Sequence, residues 1–301
     1  MMAALLLMLC VMTAFSAGAA AMEIDMEHYL LVGADGWGLN EEGSARSDAI
    51  ILASLDYGRS RITFTSFARD CIVKPSSWKD TVKINTLIRS AEGEKTLIRY
   101  IEEEFGLPIS GYFIINFSGT VDLINAVGGV SIELTQDEAD YVNRHAGLYT
   151  GYPLAQGMSR LNGAQALCYM RCRELDNDFG RQGRQGKTLR ALVDGFSDIT
   201  PLGALMLVDD VLGMYRTSLS FGQQFELAMK ALVLRGAEVV THSLPEAGTF
   251  RYRQDSHGAS GLEIDMEANR AHLFDVLEIP DPFEEESVEP DTESMQAPAS
   301  S

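Results

Sequence analysis

Six cationic side chains fall within twenty residues of this 301-residue chain: Arg171, Arg173, Arg181, Arg184, Lys187 and Arg190. Arginine outnumbers lysine 18 to 6 overall. A guanidinium offers a phosphate two parallel donors, whereas an ammonium acts as a point charge, so an arginine excess in one place suits a fixed phosphate or pyrophosphate. Arg171 and Arg173 stand one residue apart. An extended Met170–Arg173 segment therefore turns both to one face and Cys172 to the other. Two converging guanidiniums repel each other, which a bound polyanion relieves. The competing reading is a structural network in which Glu174, Asp176 and Asp178 neutralise them.

Upstream, Arg46-Ser47-Asp48 opens one apolar run and Arg69-Asp70 closes the next. In an antiparallel hairpin the start of one strand lies beside the end of its partner, so Arg46, Asp48, Arg69 and Asp70 are expected at one sheet edge. Asp35, after an earlier strand, reaches the same rim. Carboxylates among arginines are the composition of a metal-assisted phosphate site, with a magnesium or manganese ion held by one or two carboxylates plus phosphate oxygens. The histidines, His28, His145, His242, His257 and His272, are scattered and read as surface residues. With no GxSxG elbow either, a Ser-His-Asp hydrolase is unattractive.

These residues need elements to position them. Tyr29–Gly33, Ala49–Leu55 and Arg61–Phe67 read as strands, the last two joined by a short Asp56–Arg59 turn into a hairpin. Apolar spacing predicts a helix over Thr86–Phe105, stopped by Gly106-Leu107-Pro108. Tyr112–Phe117 reads as a strand, followed by a helix ending at Gly128-Gly129. Val130–Leu134 is a strand, Asn162–Tyr169 and Arg181–Phe196 are helices, Leu202–Leu234 holds two amphipathic helices, and Val239–Leu244 is a late strand. Strands and helices interleave without an evident linker, which makes the chain α/β.

The net charge of −19 opposes a nucleic-acid partner, since non-specific affinity for phosphate backbones requires clustered cations across a surface. Four cysteines without a CxxC pair make neither a disulfide scaffold nor a zinc site, and Cys71, Cys168 and Cys172 read as free thiols. Residues 1–22 carry no charge and are almost wholly apolar, as expected of a signal peptide or membrane anchor that places the rest at the extracytoplasmic face of the cell membrane, anchored or secreted. Residues 281–301 hold seven acids, three prolines and no base, and read as a disordered acidic tail.

Eight fragments carry a likeness in order along about 155 residues: LLVGAD (Leu30–Asp35), RSDAI (Arg46–Ile50), FTSFARD (Phe64–Asp70), KIN (Lys83–Asn85), LPISGYFIINFSG (Leu107–Gly119), DLINAVGGVSIEL (Asp122–Leu134), LNGAQALCYMRCR (Leu161–Arg173) and DFGRQGRQ (Asp178–Gln185). With these the chain resembles the LytR-CpsA-Psr family of cell-envelope phosphotransferases. The resemblance implies a catalytic domain over residues 23–280, built as a three-layer α-β-α sandwich with a central mixed, largely antiparallel sheet and a hydrophobic groove for a prenyl tail. It implies transfer of a glycopolymer, such as a teichoic acid or capsule, from undecaprenyl pyrophosphate to peptidoglycan through a phosphodiester. The alternatives are a pyrophosphatase of the same lipid, with water replacing the sugar, and a non-catalytic carrier-lipid binder or envelope regulator. Position by position, Arg46, Arg69, Arg171, Arg173 and Gln185 match pyrophosphate-binding residues, and Asp35 and Asp48 match carboxylates near magnesium. Asp70 reads either as the acceptor of the attacking hydroxyl's proton or simply as the partner of Arg69. The chain departs from the family pattern at Gly36-Trp37, where an arginine is common, and at Ala68, where proline is common.

Overall fold

Alternation along the first two strands decides how the layers form. The computed structural model describes residues 26–34, 47–146, 153–196 and 213–283. The apolar N-terminal run, Asp35, Arg46, residues 202–212 and most of the acidic tail lie outside the described residues. Strand β1 (Met26–Ala34) pairs antiparallel with β2 (Ser47–Asp56), which pairs antiparallel with β3 (Arg61–Phe67). Leu30, Val32, Ile50 and Leu52 point to one side, packing with α1 (Glu94–Phe105) and α7 (Met266–Leu277). Tyr29, Ile51, Ala53 and Phe64 point to the other, toward α5 (Asp178–Phe196) and α6 (Phe221–Val233). Covering both faces explains why Ala49–Leu55 within β2 reads as a nearly continuous apolar run.

The sheet is completed by β6 (Gly111–Ile115), β9 (Tyr215–Thr217) and β10 (Glu238–Leu244), in the order β10-β3-β2-β1-β6-β9. Three of its five pairings are antiparallel, and β10 with β3 and β1 with β6 are parallel. This is the mixed three-layer arrangement expected. On one flank, β7 (Val130–Leu134) and β8 (Gly157–Leu161) pair beside α2 (Phe117–Ala126), α3 (Gln136–His145) and α4 (Gly163–Arg171). On the other side of the molecule, β4 (Cys71–Val73), β5 (Val82–Lys83), β11 (Phe250–Gln254) and β12 (Ser260–Ile264) form a second small sheet.

Three expected elements differ. The helix expected over Thr86–Phe105 is a 3-10 turn at Ile84–Arg89 followed by α1, because Gly93 sits at φ 58 and Ser90 is extended, neither of which a continuous helix accepts. The strand expected to reach Phe117 stops at Ile115. There Asn116 accepts a hydrogen bond from Gly119 N and starts α2. In the segment expected to hold two helices, residues 213–234 supply the strand β9 before α6.

The described histidines are not all on the surface: His28 is buried, its Nδ1 2.9 Å from Ser54 Oγ, and His242 is half-buried against Thr65. Burial pushes the His28 imidazole down to about 4. A depressed folded value means the unfolded chain binds the proton first, so stability is full above the ordinary value of 6.5 and is lost as pH falls toward 4. The loss amounts to roughly 2–4 kcal/mol. Calorimetry between pH 7 and 4 should show a steeper fall in Tm for the native chain than for His28→Asn. Parallel curves would remove His28 from the acid response. Cys71, Cys168 and Cys172 are free thiols, as expected.

The boundary of the acidic tail also shifts. Pro282 and Phe283 cover Gly106, and the Phe283 ring lies 3.9 Å from the Arg270 guanidinium. Truncation after Phe283 should therefore leave Tm unchanged. Truncation after Pro280 should cost about 1–2 kcal/mol from the lost cation–π and apolar contact. Thermal melts of the two truncations check this; equal melts would show that the contact contributes nothing.

Candidate active site

The ends of β1, β2 and β3 meet at one edge because the two antiparallel pairings bring Ala34 opposite Ser47 and Ile51 opposite Ser66. Beyond Phe67 the chain turns tightly, with Ala68 N donating to Leu244 O and Cys71 N to Ala68 O. That turn swings Arg69 back over β2. Its Nη1 donates to Asp48 Oδ1 at 2.6 Å, while its Nε lies 3.6 Å from Asp70 Oδ2 and 3.9 Å from Asp178 Oδ1. Asp70 Oδ1 accepts from Lys83 Nζ at 2.8 Å. The hairpin argument from sequence thus places Asp48, Arg69 and Asp70 together. Arg46 and Asp35 lie outside the described residues.

The second set of cations arrives from α4 and α5. Asn162 and Gln165 close a capping box at the start of α4, and Gly163 lets that helix approach the backbone of α2, where any side chain would meet Val121 O. The segment expected to be extended from Met170 is helical through Arg171, and the helix ends at the extended Cys172 (φ −57, ψ 130). Capping satisfied the helix before the alternation could operate. Both arginines nonetheless line the same cavity while Cys172 is buried away from it. Arg171 stacks 4.1 Å from the Phe117 ring, and Arg173 Nη2 lies 3.8 Å from Asp48 Oδ1.

The proposed neutralising network divides. Asp176 takes both Nη atoms of Arg184 at 2.7 Å, and Asp178 takes Arg181 at 2.9 Å. Glu174 lies 3.5 Å from His145 instead. Among the described residues, none of the three acids pairs with Arg171 or Arg173. Arg190 donates to Val239 O, and Lys187 is exposed outside the cavity lining.

One residue that sequence reasoning left out of the site belongs to it. Arg181 is only 3% exposed, donates to Asp178 Oδ2 and Asp48 O, and keeps Nε and Nη1 without partners. Burial pushes its pKa down, and the neighbouring Arg69 and Arg173 add to that while Asp178 opposes it. A buried guanidinium with unused donors beside two further guanidiniums suits an anion. The signal lay in the spacing: Arg181, Gln185, Thr188, Leu189 and Leu192 follow the i, i+4, i+7, i+8 pattern of one helix face, and all line the cavity.

That cavity encloses about 940 Å³. It joins the Asp48, Arg69, Arg171, Arg173, Arg181 and Gln185 cluster to an apolar wall that includes Leu31, Phe113, Leu123 and Tyr215. An anionic head attached to a long apolar chain matches both parts. No described group of three or more His, Cys, Asp or Glu side chains could cage a metal, so a cation here would be shared with phosphate oxygens. Among the described residues no helix is long and apolar enough to cross a membrane.

Comparison with known proteins accords with this geometry. The family model described as "LytR_cpsA_psr family" matches residues 19–272. The polyisoprenyl-teichoic acid–peptidoglycan teichoic acid transferase TagV of Bacillus subtilis is 32% identical over 167 residues, 53% of this chain and 41% of that protein. Biofilm regulatory protein A of Streptococcus mutans is 33% identical over 171 residues, again 53% and 41%. The chain thus spans less than half the length of these two relatives. Among solved structures, "TagT bound to LIIa-WTA" superposes with a TM-score of 0.69 at 20% identity, covering 87% of this chain and 95% of that one. Bacillus subtilis TagV superposes with 0.67 at 23% identity, covering 86% and 100%. These two likenesses establish the fold.

Proposed function

We propose, because the chain belongs to the LytR_cpsA_psr family, that it transfers a glycopolymer from an undecaprenyl-pyrophosphate carrier to peptidoglycan and joins the two through a phosphodiester. The observation that carries this reading is Arg181: a buried cation with unused donors, flanked by Arg69 and Arg173, at an apolar cavity. The relatives named as teichoic acid transferases support the polymer and the acceptor.

Arg69, Arg171, Arg173 and Arg181 grip the pyrophosphate, with Gln185 beside them and Arg46 as a further cation, while the prenyl tail follows the apolar wall. A peptidoglycan hydroxyl attacks the glycan-side phosphorus. As its O–P bond forms, the bond from that phosphorus to the bridging oxygen breaks and undecaprenyl phosphate leaves. Asp70 takes the hydroxyl proton. Charge grows on the bridging and equatorial oxygens, so cations already fixed there stabilise the transition state more than the bound substrate. Asp48 fits a divalent cation shared with phosphate oxygens because it is a partly exposed carboxylate in the cavity wall. With Asp35 as the second carboxylate it would hold magnesium or manganese, which neutralises charge on the phosphoryl oxygens. On this reading the reaction takes place at the extracytoplasmic face of the membrane, which the uncharged, apolar residues 1–22 support.

Incubating the chain with labelled polyprenyl-pyrophosphate glycan, with and without peptidoglycan oligomers, tests this. The expected product is glycan linked to peptidoglycan by a phosphodiester. Release of glycan phosphate with or without the oligomers would make the protein a pyrophosphatase and overturn the transfer reading.

A further inference from the structure

A second cavity of about 270 Å³ lies on the other side of the Arg69-Asp70 turn. Its lining combines Asp70 and Asp178 with Asn177, Gln182, Ser260 and Tyr252. One observation shows that it is more than a gap between elements. Gln182 is 4% exposed, yet its Oε1 has no hydrogen-bond partner. Buried polar atoms in native proteins are in the main satisfied, so this one indicates a polar occupant.

The chemistry narrows that occupant. Asp70 and Asp178 present acceptor oxygens beside the apolar Ala68, Phe179 and Leu262, and at about 270 Å³ the cavity is too small for a long prenyl chain. A neutral polyol satisfies carboxylate acceptors through its hydroxyl protons and amide donors through its oxygens. At the rim, Tyr252 is 77% exposed, with its ring 6.0 Å from that of Phe250, which in turn lies 5.6 Å from Phe179. An exposed aromatic face held by other rings can stack against the C–H face of a pyranose.

We propose that this cavity is the subsite for the acceptor sugar, a pyranose of the peptidoglycan strand, whose attacking hydroxyl lies at Asp70. The proposal rests on the transfer reading and adds to it where the acceptor enters. Arg69 stands between the two cavities, with Nη1 on Asp48 in the larger one and Nε beside the two carboxylates that border the smaller one. A hydroxyl entering from the smaller cavity therefore meets the phosphoryl group across Arg69. Its proton passes to Asp70 as the new O–P bond forms.

Two substitutions test this on the full chain. Tyr252→Ala removes an exposed ring, and Gln182→Leu removes an unpartnered buried acceptor, so the first should leave Tm unchanged and the second should leave it unchanged or slightly raised. In transfer assays each should raise the KM for peptidoglycan oligomers about tenfold and leave the KM for the lipid-linked glycan within twofold. Titration of the N-acetylglucosamine–N-acetylmuramic acid disaccharide, with its lactyl carboxyl amidated so that it is neutral, should show binding to the native chain by NMR, weakened in both variants. If the native chain transfers glycan and the variants keep its acceptor KM, the subsite assignment falls while the transfer reading stands. A rise in donor KM instead would assign the cavity to the donor's sugars and overturn the proposal. If the native chain neither transfers nor binds the disaccharide, both fall together.

Discussion

Arg173→Ala is expected to lower transfer by about 10²–10³ while leaving Tm within about 2 °C of the native value. The two halves of this expectation come from different observations. The Arg173 side chain is 50% exposed and its described ion pair, with Asp48, is long at 3.8 Å. An exposed pair of that kind contributes well under 1 kcal/mol, and Asp48 keeps its short bond to Arg69 after the substitution. In the proposed transition state the same guanidinium faces growing phosphoryl charge that nothing else in its place would meet. Arg171→Ala should behave alike, since its partner is the Phe117 ring rather than a carboxylate. Thermal melts and single-turnover transfer assays on both variants check the pair of outcomes. A destabilised protein with normal specific activity would remove these arginines from the pyrophosphate site.

What could be foreseen depended on whether the decisive interaction was local or distant in sequence. The β2–β3 hairpin was legible because its alternation and turn lie within some twenty residues, and it brought Asp48, Arg69 and Asp70 together as expected. Arg171 and Arg173 were placed at the cavity for a reason that did not hold, since α4 continues through Arg171. The outcome survived because a helix end followed by one extended residue also separates them from Cys172. The role of Arg181 was hidden, because its burial depends on Asp178 and on the Asp48 carbonyl 133 residues away in sequence. The small sheet that lines the second cavity was missed altogether. Its strands run for two to five residues and pair β12 with β4 across almost the whole domain, which no local pattern records.

Arg184→Ala should show the opposite signature to Arg173→Ala, though the two residues belong to one basic cluster. Arg184 is 4% exposed at its side chain, holds Asp176 with two bonds of 2.7 Å, and donates to the Cys172 carbonyl at 2.7 Å. Removing it strands a carboxylate and a buried carbonyl. A fully buried pair broken this way costs roughly 3–5 kcal/mol, but Asp176 is 38% exposed and water recovers part of that, leaving about 2–3 kcal/mol. Tm should fall by roughly 5–10 °C at pH 7. The pH dependence identifies the cause. Arg184 holds the Asp176 carboxyl below its ordinary 3.8, chiefly through hydrogen bonds and against the opposing effect of burial. A depressed carboxyl contributes stability above its unfolded value and loses it as pH falls through the folded one. The native and Arg184→Ala melting curves should therefore draw together below about pH 4, where the stranded carboxylate of the variant is protonated and the native bond weakens. Calorimetry from pH 7 to pH 3 measures the gap. If it stayed constant across that range, the loss would come from packing around the Cys172 carbonyl rather than from the Arg184–Asp176 pair.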